Sequence, residues 1–145
     1  MISFVTDKTW REKCYDFIKD KAHIYEDHKT FSYIGIIEDN KILGVIYFCD
    51  YDGNNIFIHA ALDTPRACNL RAIKLMFDYI FNQIKCNRAT ITCDVDNKKA
   101  IRLSEGLGFE REGTMKKMLY FKNKFADAAV YGLQKEDCKW VKAWQ

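Results

Sequence analysis

Short apolar, β-rich runs alternate along the chain with longer stretches whose apolar residues recur every three or four positions. The short runs predict strands at Ile2–Val5, Tyr33–Ile37, Ile42–Phe48, Ile56–Leu62, Ala89–Val95, Glu110–Phe121 and Ala126–Leu133. The longer stretches predict three helices. The first starts from a cap at Asp7 or Thr9 and runs to about Ala22, with Trp10, Cys14, Phe17 and Ile18 on its apolar face. The second spans 67–84, carrying Leu70, Ile73, Met76, Phe77, Ile80, Phe81 and Ile84 on one side. The third spans 97–107, with Ala100, Ile101, Leu103 and Leu107 at helical spacing.

The polar residues between these elements predict how they connect. Glu38-Asp39-Asn40-Lys41 joins two strands as a hairpin, and a second turn around Gly53 adds a third strand to an antiparallel meander. Pro65 ends the fourth strand, since proline cannot donate within a central ladder. Strand, helix and strand over 56–95 form a β-α-β unit with a parallel pair. Asp96-Asn97 is a turn or N-cap, and Gly106 and Gly108 stop the third helix. A turn near Asn123-Lys124 pairs the last two strands. Residues 23–30 read as a polar loop containing His23 and His28.

Composition narrows the class. A chain of 145 residues, 48% of them hydrophobic, fits one domain over 1–145 with a substantial core. It has no apolar run long enough to span a membrane, and its N-terminus lacks the basic-then-apolar pattern of a secretory signal, so the cytoplasm is expected. Six cysteines without a C-x-x-C pair read as buried, reduced thiols. No histidine has a partner at metal-ligand spacing, so no metal is expected. A net charge of +3 with dispersed basic residues argues against nucleic-acid binding.

One block goes further. Asn97, Ala100, Leu103, Glu105, Gly108, Phe109, Glu112 and Gly113 fill the pattern N-x-x-A-x-x-L-x-E-x-x-G-F-x-x-E-G, and Asp127 and Val130-Tyr131-Gly132-Leu133 continue it. This pattern resembles the second half of the GNAT N-acetyltransferase family, in the manner of its ribosomal-protein alanine acetyltransferase branch. The Phe77-to-Arg88 segment and Glu136-Asp137-Cys138-Lys139-Trp140 are similar to short members carried by tailed phages. The resemblance implies an α+β fold, an α/β/α sandwich. Its sheet would be mixed and mostly antiparallel, with a central parallel pair splayed between the fourth and fifth strands.

It also implies acetyl-CoA as co-substrate. The pyrophosphate would lie at the start of the second helix, where orphan amides favour anions. The family's R/Q-x-x-G-x-G/A loop maps onto Arg66, Asn69, Leu70 and Arg71, with asparagine and arginine in place of the two glycines. Asn69 tolerates a left-handed conformation, and the Arg71 guanidinium could bind phosphate directly. A β-bulge at the end of the fourth strand would open the gap near Ala60 to Asp63, and backbone amides of Ala61, Leu62 and Asp63 would hold the pantetheine. Asn97 would reach it from the other side, as well as capping its helix. Lys98, Lys99 and Arg102 would meet the adenosine phosphates or form a solvated basic face.

The implied chemistry is direct transfer of an acetyl group to a primary amine of a small molecule or a protein. His59 is the first choice of base, ahead of Asp94 and Glu38, because an imidazole titrates near neutral pH. Ser104 stands where many members carry a proton-donating tyrosine. Cys68 and Cys93 read as structural. Two functions compete: an N-acetyltransferase, and a binding protein on the same scaffold that has lost catalysis and engages a host partner. Trp140 and Trp144, if not packed on the domain, would invite a homodimer.

Overall fold

The computed structural model describes residues 1–22, 24, 27–30 and 32–141. His23 and Trp144 lie outside the described residues, and so do the expectations placed on them. Strands β1 (Ser3–Val5), β2 (Ser32–Glu38), β3 (Lys41–Cys49), β4 (Asn55–Leu62), β5 (Arg88–Asp94), β6 (Glu110–Phe121) and β7 (Lys124–Gln134) form one sheet in the order β1-β2-β3-β4-β5-β7-β6. Among the described residues only β4 and β5 pair in parallel. Helices α1 (Lys8–Ile18), α2 (Leu70–Phe77) and α3 (Lys98–Gly106) follow β1, β4 and β5. This is the α+β architecture expected of the family.

Two clusters of apolar side chains hold the layers. On one face α2, the turn after it and the end of α3 pack Met76, Phe77, Ile80, Phe81 and Leu107 against Ile36, Ile46, Ile56, Ile58 and Tyr131. On the other, Cys14 and Ile18 of α1 pack against Tyr33, Val45, Tyr47 and Ala61. Burying a Phe or Ile side chain contributes roughly 1.5–3 kcal/mol. Burial pushes the Cys14 thiol up to about 12, so it stays protonated inside this second cluster.

Local chemistry sets the element ends. Asp7, not Thr9, caps α1, its Oδ1 accepting from the Trp10 amide at 3.3 Å. The hairpin turns at Asp39-Asn40 and Lys122-Asn123 put both central residues at positive φ, the twist that flanking strands favour. Helix α3 ends in a Schellman motif: Phe109 N–H donates to Ser104 O and Gly108 N–H to Glu105 O, each at 3.0 Å, with Gly108 at φ 101°. Gly106 remains helical, so only Gly108 stops the helix.

The expected 67–84 helix is three pieces. Pro65–Ala67 makes one 3-10 turn capped by Thr64, α2 starts afresh from Asn69, and Asp78–Gln83 widens to a π-helical turn. The break at Cys68 leaves Leu70 outside the apolar face, 53% exposed. The π turn keeps Ile80 and Phe81 buried beside Phe77. Trp140 packs on the large cluster and donates its Nε1–H to Leu107 O at 2.8 Å, which removes it as an exposed dimer contact.

Candidate active site

The site begins where a ladder stops. β4 and β5 pair only at Asn55↔Arg88, Ile56↔Ala89 and Phe57↔Thr90. Beyond that, β4 stays with β3 as far as Leu62↔Gly44, and β5 stays with β7 as far as Asp94↔Ala128. Each half follows its own neighbour, and the right-handed twist carries them apart. The β3–β4 register runs unbroken from Cys49↔Phe57 to Gly44↔Leu62, so no bulge in β4 opens the gap. The gap starts at Ile58, earlier than the expected Ala60 to Asp63.

The closed end is held by side chains. Arg88 donates to both Glu112 oxygens (Oε1 2.8 Å, Oε2 3.3 Å) and to Thr90 Oγ1 at 3.1 Å; the Thr90 hydroxyl donates to Asn55 Oδ1 at 2.6 Å. β4, β5 and β6 are thereby tied together, and the guanidinium holds the Glu112 carboxyl below its usual range. The network lies on Gly132 of β7, where an added Cβ would meet Arg88 Nη2 and Glu112 Oε2 at 2.5 Å.

At the open end, strand alternation decides which amides face the gap. The Asp63 N–H donates to Leu43 O at 2.8 Å, so Asp63, Ala61 and His59 aim their amides at β3. Ala60 and Leu62 aim theirs at the gap. The expectation for the Ala61 and Asp63 amides is therefore corrected by one residue, a matter of strand parity. Ala61 instead packs beneath α1, and the Asp63 carboxylate pairs with Lys21 Nζ at 3.3 Å.

A cleft of about 1280 Å³ follows the gap from one face of the sheet to the other. On the α2–α3 face it is lined by Cys68, Ala72, Ile73 and Ser104; on the α1 face by Tyr47, Phe57 and His59. Its charged lining residues are Lys21, Asp50, Asp94 and Asp96. Burial raises the Cys68 and Cys93 thiols, which keeps both protonated and fits structural roles.

Comparison with known proteins places this architecture. Residues 2–110 match the family model described as an acetyltransferase (GNAT) domain. The chain belongs to that family. A Bacillus subtilis (strain 168) relative, the SPbeta prophage-derived uncharacterized N-acetyltransferase YokL, is 26% identical over 112 residues, covering 74% of this chain and 63% of that one. The chain thus spans under two thirds of that relative's length. Among solved structures, a spermidine N-acetyltransferase, SpeG of Vibrio cholerae, superposes with a TM-score of 0.75 at 13% identity, covering 97% of this chain and 96% of that one. A ribosomal-protein-S5-alanine acetyltransferase of Vibrio fischeri gives 0.65 at 20%, covering 90% and 73%. At such identities these structures carry the GNAT fold and do not choose a branch or an acceptor.

Within the GNAT domain the expected site residues fall in two places. His59, Leu62, Asn97 and Ser104 line the main cleft. His59 stacks on Tyr47 with ring centroids 5.8 Å apart. Asn97 caps α3 through Oδ1, which accepts from Ala100 N–H at 3.1 Å and leaves its Nδ2 donors for the cleft. Ser104 is buried, and its hydroxyl already donates to Ala100 O at 2.8 Å. Arg66, Asn69, Leu70 and Arg71 line a separate depression of about 440 Å³ with Ile2 and Glu38.

There Arg66 bonds the Glu38 carboxylate and holds it below the usual range, so Glu38 is an arginine partner and lies away from the His59 side. The Arg71 guanidinium sits 5.2 Å from the centre of the Phe4 ring. Asn69 is extended (φ −101°) and Arg71 is helical, so neither stands in the left-handed region anticipated for Asn69. Losing glycine at these two places adds bulk without backbone strain. Sequence reasoning placed Ala60 at the edge of the gap without assigning its amide, and it missed the Met118–Phe121 run of β6, which also lines the cleft. That run is apolar on an otherwise exposed strand, a signal present in the sequence.

Proposed function

We propose that the protein is an acetyl-CoA-dependent N-acetyltransferase that moves the acetyl group directly to a primary amine of a small molecule or a protein. The observation that carries this reading is the gap between β4 and β5, with the Ala60 and Leu62 amides turned into it beside the start of α2. Peptide amides fixed by the β3–β4 ladder, with no strand opposite them, are suited to hold pantetheine and to polarise a carbonyl. When bound, acetyl-CoA supplies the thioester that the amine attacks. Asn97 offers its side-chain amide from the opposite wall. The first amides of α2, at Leu70 and Arg71, have no intrahelical acceptor and face an anion favourably. Arg71 can add charge by leaving the Phe4 ring, and Arg66 by leaving Glu38.

The acceptor enters from the α1 face, and the carboxylates of Asp50, Asp94 and Asp96 that line the cleft suit an amine that arrives as ammonium. His59, on that face, takes its proton. Ser104 would have to give up its bond to Ala100 to protonate the leaving thiolate, which departs readily without help. Six free cysteines support a reducing cytoplasm as the setting, the host's if the chain is phage-encoded like its B. subtilis relative. The alternative of a scaffold without catalysis gains no support from the open cleft.

A pooled screen of primary amines with acetyl-CoA, read by release of free coenzyme A thiol, tests the reading. Amine-dependent release is expected, with His59→Ala losing at least about tenfold in kcat near neutral pH. Thiol release that no amine stimulates would refute the reaction. Full turnover in His59→Ala would refute the base alone.

A further inference from the structure

Asp127 extends the Asn97-to-Gly113 sequence pattern, yet it does not line the cleft. Its surroundings give it work. In the β6–β7 ladder Met115 pairs with Ala128 and Leu119 with Ala126, so Lys116, Lys117 and Met118 lie opposite Asp127 alone. Two extra residues make a special bulge, a device that bends a strand and re-aims the residues beyond it. Lys117 sits at φ 55°, a conformation costly for a residue with a long side chain. Its backbone N–H, lost to the ladder, donates to Asp127 Oδ1 at 2.9 Å. The Asp127 carbonyl in turn accepts from Val95 N–H at 3.1 Å, two residues before Asn97.

From the last residue of the bulge onward, Met118, Leu119, Tyr120 and Phe121 reach the cleft as an apolar lip. Asp94, Asp96 and Asn97, which also line the cleft, flank Val95, the residue to which the Asp127 carbonyl is tied. Met118 and Tyr120 are 53% and 55% exposed, and the Tyr120 ring meets Phe125 at a tilt, 4.8 Å between centroids. The β6–β7 ladder holds Leu119, Tyr120 and Phe121 opposite Ala126, Phe125 and Lys124, and the bulge sets the direction in which that end of the hairpin leaves the sheet.

The geometry points to Asp127 as a positioning residue that, by holding the Lys117 bulge, sets the Met118–Phe121 lip and so selects acceptors carrying an apolar group next to the amine. This rests on the acetyl transfer proposed above. The carboxylate is needed as an acceptor and not for its charge. Asparagine, which keeps an acceptor oxygen, replaces it; alanine does not.

The test uses the full chain with phenethylamine and methylamine as acceptor probes, together with amide exchange. Asp127→Ala should raise KM for phenethylamine about tenfold, leave methylamine turnover within twofold, and leave acetyl-CoA affinity unchanged. Exchange of the Lys117–Phe121 amides should quicken at least tenfold. Asp127→Asn should restore both, and Tyr120→Ala should reproduce the KM effect without the exchange effect at Lys117. Equal loss on both amines, failure of asparagine to rescue, or unchanged exchange in Asp127→Ala would each overturn the assignment. If the parent acetylates neither amine while binding acetyl-CoA, the reaction proposed for these acceptors fails, and the exchange measurement alone then decides whether Asp127 holds the lip.

Discussion

The two ends of the β4–β5 pair are made of the same strands and behave as opposites. At the closed end, Asn55, Arg88, Thr90 and Glu112 satisfy one another's hydrogen-bonding groups across three strands. At the open end, Ala60 and Leu62 turn amides toward a cleft. A strand that gives up its neighbour leaves backbone groups in demand of partners, here at exposed Ala60 and half-buried Leu62, and a ligand can meet that demand. The closed end makes that demand stable, because it stops the ladder from re-zipping in another register. Stability and binding are therefore separable here, and mutations can attack one end at a time.

The largest effect is expected at the closed end from Gly132→Val. Its side chain would displace Arg88 and Glu112 together, at a cost of about 3 kcal/mol measured by urea denaturation. A wild-type unfolding midpoint would show that the clasp does not organise the pair. At the open end, acetyl-CoA at 100 times its dissociation constant should add about 2.7 kcal/mol of apparent stability, read as a thermal shift. The gain should survive Glu112→Gln, which touches only the closed end.

Next comes Asn97, which serves two purposes. Asn97→Ala should cost about 1 kcal/mol as a lost helix cap and weaken acetyl-CoA as well. Asn97→Asp keeps the cap oxygen and loses the Nδ2 donors, so it should retain stability while still binding acetyl-CoA more weakly. Equal effects of both variants on calorimetric affinity and on melting would merge the two roles. The smallest effect concerns pH. Arg88 lowers the Glu112 pKa from its ordinary 4.5, so the ion pair's contribution is present above that value and is lost as pH falls through the lower folded value. Glu112→Gln should flatten only this acid limb of a stability profile. An unchanged limb would assign acid sensitivity elsewhere.

Much of this contrast was written in local sequence, and its decisive parts were not. Strands, hairpin turns, the Asn97 cap and the Gly108 stop depend on residues within one turn of each other, and period and capping chemistry expose them. The point where β4 leaves β5 depends on each strand's loyalty to a third strand, a tertiary property with no local mark. Parity failed for the same reason: knowing that 61–63 border the gap does not say which amides face it. Arg66 meets Glu38 from 28 positions away, and Arg71 meets Phe4 from the far edge of the sheet. The glycine positions of the family's loop suggest unusual φ, with Asn69 expected to supply it, yet the backbone at Asn69 and Arg71 is ordinary.

The most direct test is amide hydrogen exchange on the wild-type chain with and without saturating acetyl-CoA. The amides of Ala60 and Leu62 should slow on binding, with those at the start of α2, while Phe57, Arg88 and Thr90 at the closed end stay as they were. Binding that leaves Ala60 and Leu62 unprotected would contradict a cleft built from the parting of these two strands.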